Sequence, residues 1–181
     1  KKSYSLSLIG LVILFDLWNI DMNYVNEDNF SRPSAVKTPF TANGIDEEIM
    51  KDKSSFRIYE PYRGFVNGRS SYFHNSISGY HAAKPKRMQD IYDFYLSKNK
   101  FNVLNMLNVK YIVDLNENNS LGLRLNEENL GNAWFIENII NVNNSNEEIL
   151  SLNDLNYSRD CLSKDLPNKK FTLSETDNIV L

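Results

Sequence analysis

The sequence predicts an α+β fold: short helices packed on a small mixed or antiparallel sheet, preceded by an apolar N-terminal helix that ends a transmembrane span. Three observations predict it. Residues 6–15 are an almost unbroken apolar run. Residues 56–60 (FRIYE) and 109–114 (VKYIVD) alternate or are rich in β-branched and aromatic side chains, as strands are. Between them Met88, Ile91, Tyr92 and Tyr95 recur at helical spacing. Strands this few and this isolated favour an α+β arrangement over a doubly wound sheet.

In chain order, residues 3–18 (SYSLSLIGLVILFDLW) form a helix about 24 Å long, short of the ~30 Å hydrocarbon core. On length alone a buried core helix or strand fits equally. Lys1 and Lys2 at its start, the acids Asp16, Asp21, Glu27 and Asp28 at its exit, and Trp18 and Tyr24 at interfacial positions favour a helix leaving the membrane outward. The residues that follow do not form a small-residue cleavage site, which argues against a signal peptide. Residues 1–24 are thus expected to be the end of a late transmembrane helix, clipped at a fragment boundary, and residues 25–42, with Pro33 and Pro39, a linker.

Residues 43–156 are expected to form the α+β domain. Asn43 opens a short helix with Asp46, Glu47 and Glu48 near its positive end, running to about Asp52. Residues 56–60 make a strand. Pro85 suits the first turn of a helix that runs to about Ser97, and residues 101–108 add a second helical piece. Residues 109–114 and 133–142 (AWFIENIINV) are strands. Residues 145–153 are a helix, with Ser145 as its cap and Glu148 completing a capping box. Residues 157–181 read as a polar tail until Phe171, leading into a strand that begins at residues 178–181.

With 181 residues, 41% of them hydrophobic and 24% charged, the chain can bury one real core and carry a membrane-derived appendage. A net charge of -3 argues against a nucleic-acid partner, because phosphate binding requires a basic excess. The single cysteine, Cys161, rules out an intrachain disulfide and a multi-cysteine metal site. Asparagine is abundant, which reads as compositional bias.

The densest chemistry lies in residues 70–90, SSYFHNSISGYHAAKPKRMQD, which hold both histidines. His74 and His81 are seven apart, with neither the helical i,i+4 spacing nor the cysteine partners of a zinc site. Each imidazole can satisfy hydrogen bonds in a turn-rich segment or donate to an anionic or sugar ligand. Lys84, Lys86 and Arg87 sit at a helix start, where cations oppose the dipole. A docked phosphate or carboxylate would account for that placement, as would ordinary solvated charge. Tyr72, Phe73 and Tyr80 offer sugar-stacking faces or core packing. The candidate substrate-binding residues are therefore Tyr72, His74, Tyr80, His81, Lys84 and Arg87, with Arg57 a lesser one.

Asp114 to Asn118 opens like a calcium loop, but Asn119 stands where glycine is needed and Leu125 where glutamate is needed. No GxSxG, Walker loop or GxGxxG occurs, and the paired acids Glu47–Glu48, Glu127–Glu128 and Glu147–Glu148 read as solvated charge. No self-contained catalytic set is present, and no metal or cofactor is implied.

Tyr72-Phe73-His74, then Gly79-Tyr80-His81-Ala82-Ala83-Lys84, then a basic helix start, is an order of parts that resembles the YfhO family of polytopic bacterial membrane proteins. Phe15-Asp16-Leu17-Trp18, residues 105–113 (NMLNVKYIV) and residues 130–135 (LGNAWF) extend the resemblance over most of the chain. It implies many preceding membrane helices and a likeness to lipid-linked-sugar glycosyltransferases of the GT-C class, whose catalytic acid sits in an early extracytoplasmic loop. On that expectation the chain is an extracytoplasmic region of the cytoplasmic membrane protein. Its partners would be the rest of its own membrane domain, a polyprenyl-phosphate-linked sugar and an envelope polymer acceptor. The alternatives are a non-enzymatic scaffold or interaction domain of a membrane protein, and a free soluble domain with residues 6–15 as core.

Overall fold

The computed structural model describes residues 2–171. The chain divides into two compact units, residues 1–41 and 42–181. Its elements are mixed helix and strand, with the strands in two small sheets.

The first unit is built on α1, Lys2–Tyr24, a 23-residue helix without proline. At 1.5 Å per residue it is about 34 Å long, so the sequence-based helix of residues 3–18 was too short. Asp16 and Asp21 lie inside it rather than beyond its end. Its apolar side chains are exposed, Leu6 by 70% and Phe15 by 72%, so this is not the buried core helix that the soluble-domain reading requires. The stretch expected to be a plain linker contains short helical turns: Glu27–Asn29, capped by Asn26; α2, Pro33–Lys37; and Thr38–Phe40.

The second unit begins with α3, Gly44–Ile49, whose Asn43 cap accepts from the Asp46 N–H while Asp46 accepts from the Asn43 N–H. β1 (Arg57–Tyr59), β2 (Val109–Leu115) and β3 (Leu121–Leu125) form a mixed sheet in the order β1-β2-β3. β1 runs parallel to β2, and β3 returns antiparallel through a loop closed by Asn116 N–H donating to Ser120 O at 2.8 Å. That loop is the segment which opened like a calcium loop; Asn119 holds a φ of 55° there.

Alternation along the strands covers both faces of this sheet. Ile58 and Val113 pack with Ile49 of α3, while Tyr59 and Ile112 join the main core with Phe65, Val103 and Leu104. Ile91 and Tyr95 bring α5, Lys86–Phe94, onto that core. α4, Arg69–Phe73, lies in the crossover from β1 to β2, and residues 101–108 begin as the 3₁₀ turn Phe101–Leu104.

The expected strand at 133–142 narrows to β4, Asn138–Asn141. α6, Ser145–Ser151, follows, but its cap is Asn144, which accepts from the Glu147 N–H at 2.9 Å, and not Ser145. Residues expected to be a polar tail supply β5, Asp160–Ser163, parallel to β4, and β6, Lys169–Lys170, antiparallel to it. Tyr157, in the same stretch, is buried in the main core and donates to Leu152 O at 2.5 Å. The strand expected at 178–181 lies outside the described residues.

Candidate functional site

The crossover from β1 to β2 carries all six candidate residues and sends them to different places. His74 ends α4, and its ring is almost fully buried, with Nε2 3.1 Å from Asp46 Oδ1. An ionised carboxylate only accepts, so the ring carries a proton on Nε2. Arg69 also grips Asp46, Nη1 to Oδ1 at 3.2 Å and Nη2 to Oδ2 at 2.5 Å, with its guanidinium 4.7 Å from the Phe73 ring centre. Burial pushes the Asp46 carboxyl up, but hydrogen bonds from Arg69, the Asn43 N–H and His74 outweigh it and hold the group below its ordinary value. The result is a knot tying the first turn of α3 to both ends of α4.

Lys84 places its Nζ 3.9 Å from the Phe65 ring centre, and Phe65 stacks on Tyr92 at 4.5 Å. This cation over an aromatic face is a structural contact of the core edge. Arg87 pairs instead with Glu148 of α6 at 3.2 Å, its side chain 73% exposed. The two cations therefore have different partners. Tyr72 and Tyr80 are exposed by 63% and 81%, and exposed His81 accepts the Ala83 N–H on Nδ1 at 3.1 Å.

Of the clefts of this unit large enough to hold a small molecule, two take in candidate residues. The polar one, about 460 Å³, lies where α4 ends beside β1 and takes in His74 and the lesser candidate Arg57. Asn75 and Ser76 enter it because Ile58 N–H donates to Asn75 O at 2.8 Å, drawing this segment along β1. Another wall is an amide cluster that sequence reasoning missed. Asn108, at a φ of 56°, donates from Nδ2 to Ser55 O at 3.0 Å and to Asn132 Oδ1 at 2.8 Å. Arg57 donates to Leu107 O at 3.3 Å. Ser71 completes the lining, its hydroxyl donating to Ser78 O at 2.9 Å. The lining offers amides, hydroxyls and a guanidinium, with Phe56 beside them, and holds no carboxylate.

The second cleft, about 510 Å³, is bounded by α5, α6 and β5 and is mostly apolar. Arg87 stands on its lining, as do Tyr157 and Cys161. Burial, with a smaller contribution from Tyr95, pushes the Tyr157 phenol up to about 12, so it stays a donor at neutral pH. Neither cleft contains Tyr72, Tyr80, His81 or Lys84. Among the described residues no group of three or more His, Cys, Asp or Glu side chains is placed to hold a metal ion.

Compared with known protein families, curated proteins and solved structures, the chain gives no match.

Proposed function

We propose that this chain is the extracytoplasmic portion of a YfhO-like integral membrane protein, a lipid-linked-sugar glycosyltransferase acting on cell-envelope polymers, and that it binds sugar without catalysing transfer. The polar cleft beside His74 carries this reading. Sugar hydroxyls both donate and accept, and the neutral amides of Asn75, Asn108 and Asn132 with the hydroxyls of Ser55, Ser71 and Ser76 can answer both roles. Arg57 adds a cation for a glycosyl phosphate. Because the lining has no carboxylate, it lacks the acid and base that glycosyl chemistry requires, which agrees with catalysis residing elsewhere in the protein.

Saturation-transfer NMR on the full chain in neutral nanodiscs, with free monosaccharides and glycosyl phosphates as probes, tests this. At least one sugar or glycosyl phosphate is expected to receive saturation, and Arg57→Ala with Asn75→Trp to remove it. Asn75 joins β1 through its backbone, so its side chain can be enlarged without breaking that link. Silence from every probe at millimolar concentration, or transfer that survives the double variant, overturns the assignment. A second reading, a scaffold domain that braces the membrane helices or a partner, is favoured by the internal partners of His74, Lys84 and Arg87. It predicts that silence.

A further inference from the structure

We propose that the apolar cleft bounded by α5, α6 and β5 binds a single-chain amphiphile with an ammonium head, its chain against the cleft wall and its head at the carboxylates of the rim. The inference does not rest on the sugar-binding reading, since it concerns other residues and another ligand class.

Ile91, Leu107, Trp134, Ile149, Leu155 and Leu162 supply apolar wall. Water filling such a wall gives up hydrogen bonds that an alkyl chain never needed, and the volume of about 510 Å³ lies in the range of small-molecule sites. The wall fixes the chain, and the charges at its edge decide the head group.

Arg87, Asp90, Glu148 and Asp160 are the charged residues on the lining, three carboxylates against one guanidinium. Arg87 and Glu148 neutralise each other across the cleft, from α5 to α6, at 3.2 Å. Asp160 accepts from Asn138 Nδ2 at 2.7 Å and acts on the charge of neighbouring Arg159, which is itself ion-paired with Glu137, and Asp90 carries no ion pair among the described residues. The lining of the cleft thus keeps more carboxylates than cations. An ammonium head at this edge gains attraction, whereas a phosphate or fatty-acid carboxylate meets like charge. The cleft is therefore unsuited to a polyprenyl phosphate, although its wall is apolar enough for the prenyl chain.

The chain has two tryptophans, Trp18 and Trp134, so Trp18→Phe leaves Trp134 on the cleft wall as the sole indole reporter. The Trp18→Phe chain of 181 residues, in neutral nanodiscs, is titrated with octyltrimethylammonium, octanol and octanoate below their micellar concentrations. Octyltrimethylammonium is expected to shift Trp134 emission at a concentration at least tenfold below that needed for octanoate. Asp90→Asn with Asp160→Asn, both at the rim, is expected to weaken the cation about fivefold or more and to leave octanol unchanged. Partition into the lipid is the same for both proteins, so this difference reports the cleft. Octanoate binding as tightly as the cation, an unchanged preference in the double variant, or no response of Trp134 to any probe overturns the proposal.

Discussion

Asp46 sits at 2% exposure with four donors on one carboxylate: two from Arg69, one from His74 and one from the Asn43 backbone. Removing it takes the carboxylate away from a guanidinium and an imidazole that are themselves largely buried, and breaking a buried pair from one side costs about 3–5 kcal/mol. Asp46→Ala should lose about that much in urea unfolding. Its carboxyl is held below its ordinary value in the fold, so its contribution is full above about pH 4 and drains away as pH falls through the folded value. Wild type should lose stability over that acid range, and Asp46→Ala should lose correspondingly less there. A parallel acid limb in the two proteins would show that the knot contributes nothing. Part of this was legible: Asn43 and the first-turn acids announce the start of α3. The convergence of Arg69 and His74 was not, because they lie 23 and 28 residues away in the chain. Nor was the role of asparagine. Asn99, Asn108 and Asn119 are the non-glycine residues with positive φ among the described ones, and asparagine tolerates that region better than other L side chains. What composition presents as bias is, at these three positions, backbone geometry, and at Asn108 it builds a wall of the polar cleft.

The start of α6 shows why element boundaries blur. Asn144 with Glu147 and Ser145 with Glu148 both spell a capping pattern, offset by one residue, and nothing local separates them. The fold selects the first: Asn144 accepts from the Glu147 N–H, and Glu147 in turn accepts from the Asn143 N–H at 2.8 Å. Asn144→Ala should therefore cost about 1 kcal/mol, and Ser145→Ala only a few tenths, in paired urea titrations. Equal losses, or the reverse order, would return the cap to Ser145. The same limit hid whole strands. β5 is Asp-Cys-Leu-Ser and β6 is two lysines, so neither alternates visibly, and each exists because β4 offers an edge to pair with. β3 hides in the far end of the calcium-loop-like segment, although Leu121, Leu123 and Leu125 alternate there. α5 and β2 were legible because their period is carried by their own side chains, which face the core.

For the molecule as a whole, the exposed apolar surface of α1 decides how the protein is handled. A helix of about 34 Å with Leu8, Leu11, Leu14, Leu17 and their neighbours all exposed presents far more apolar surface than a protein in water carries without a partner. Its length and composition suit a membrane crossing. The full chain should stay in the membrane pellet through carbonate and urea washes, and Leu11→Arg with Ile13→Arg should release it. Each arginine adds about 2.5–3.5 kcal/mol to insertion near the bilayer centre. Recovery of wild type in the supernatant, or of the double variant in the pellet, would remove the anchor. The proposed function puts the α+β unit outside the cell, a reading that draws on Lys1 and Lys2 at the start of this segment and the acids toward its other end. A cysteine introduced as Glu117→Cys, in the exposed β2–β3 loop and in a Cys161→Ser background, should react with an impermeant maleimide in intact cells. Labelling only after lysis would put the α+β unit on the cytoplasmic face. That outcome would separate the polar cleft from any envelope polymer while leaving its chemistry, and that of the apolar cleft, unchanged.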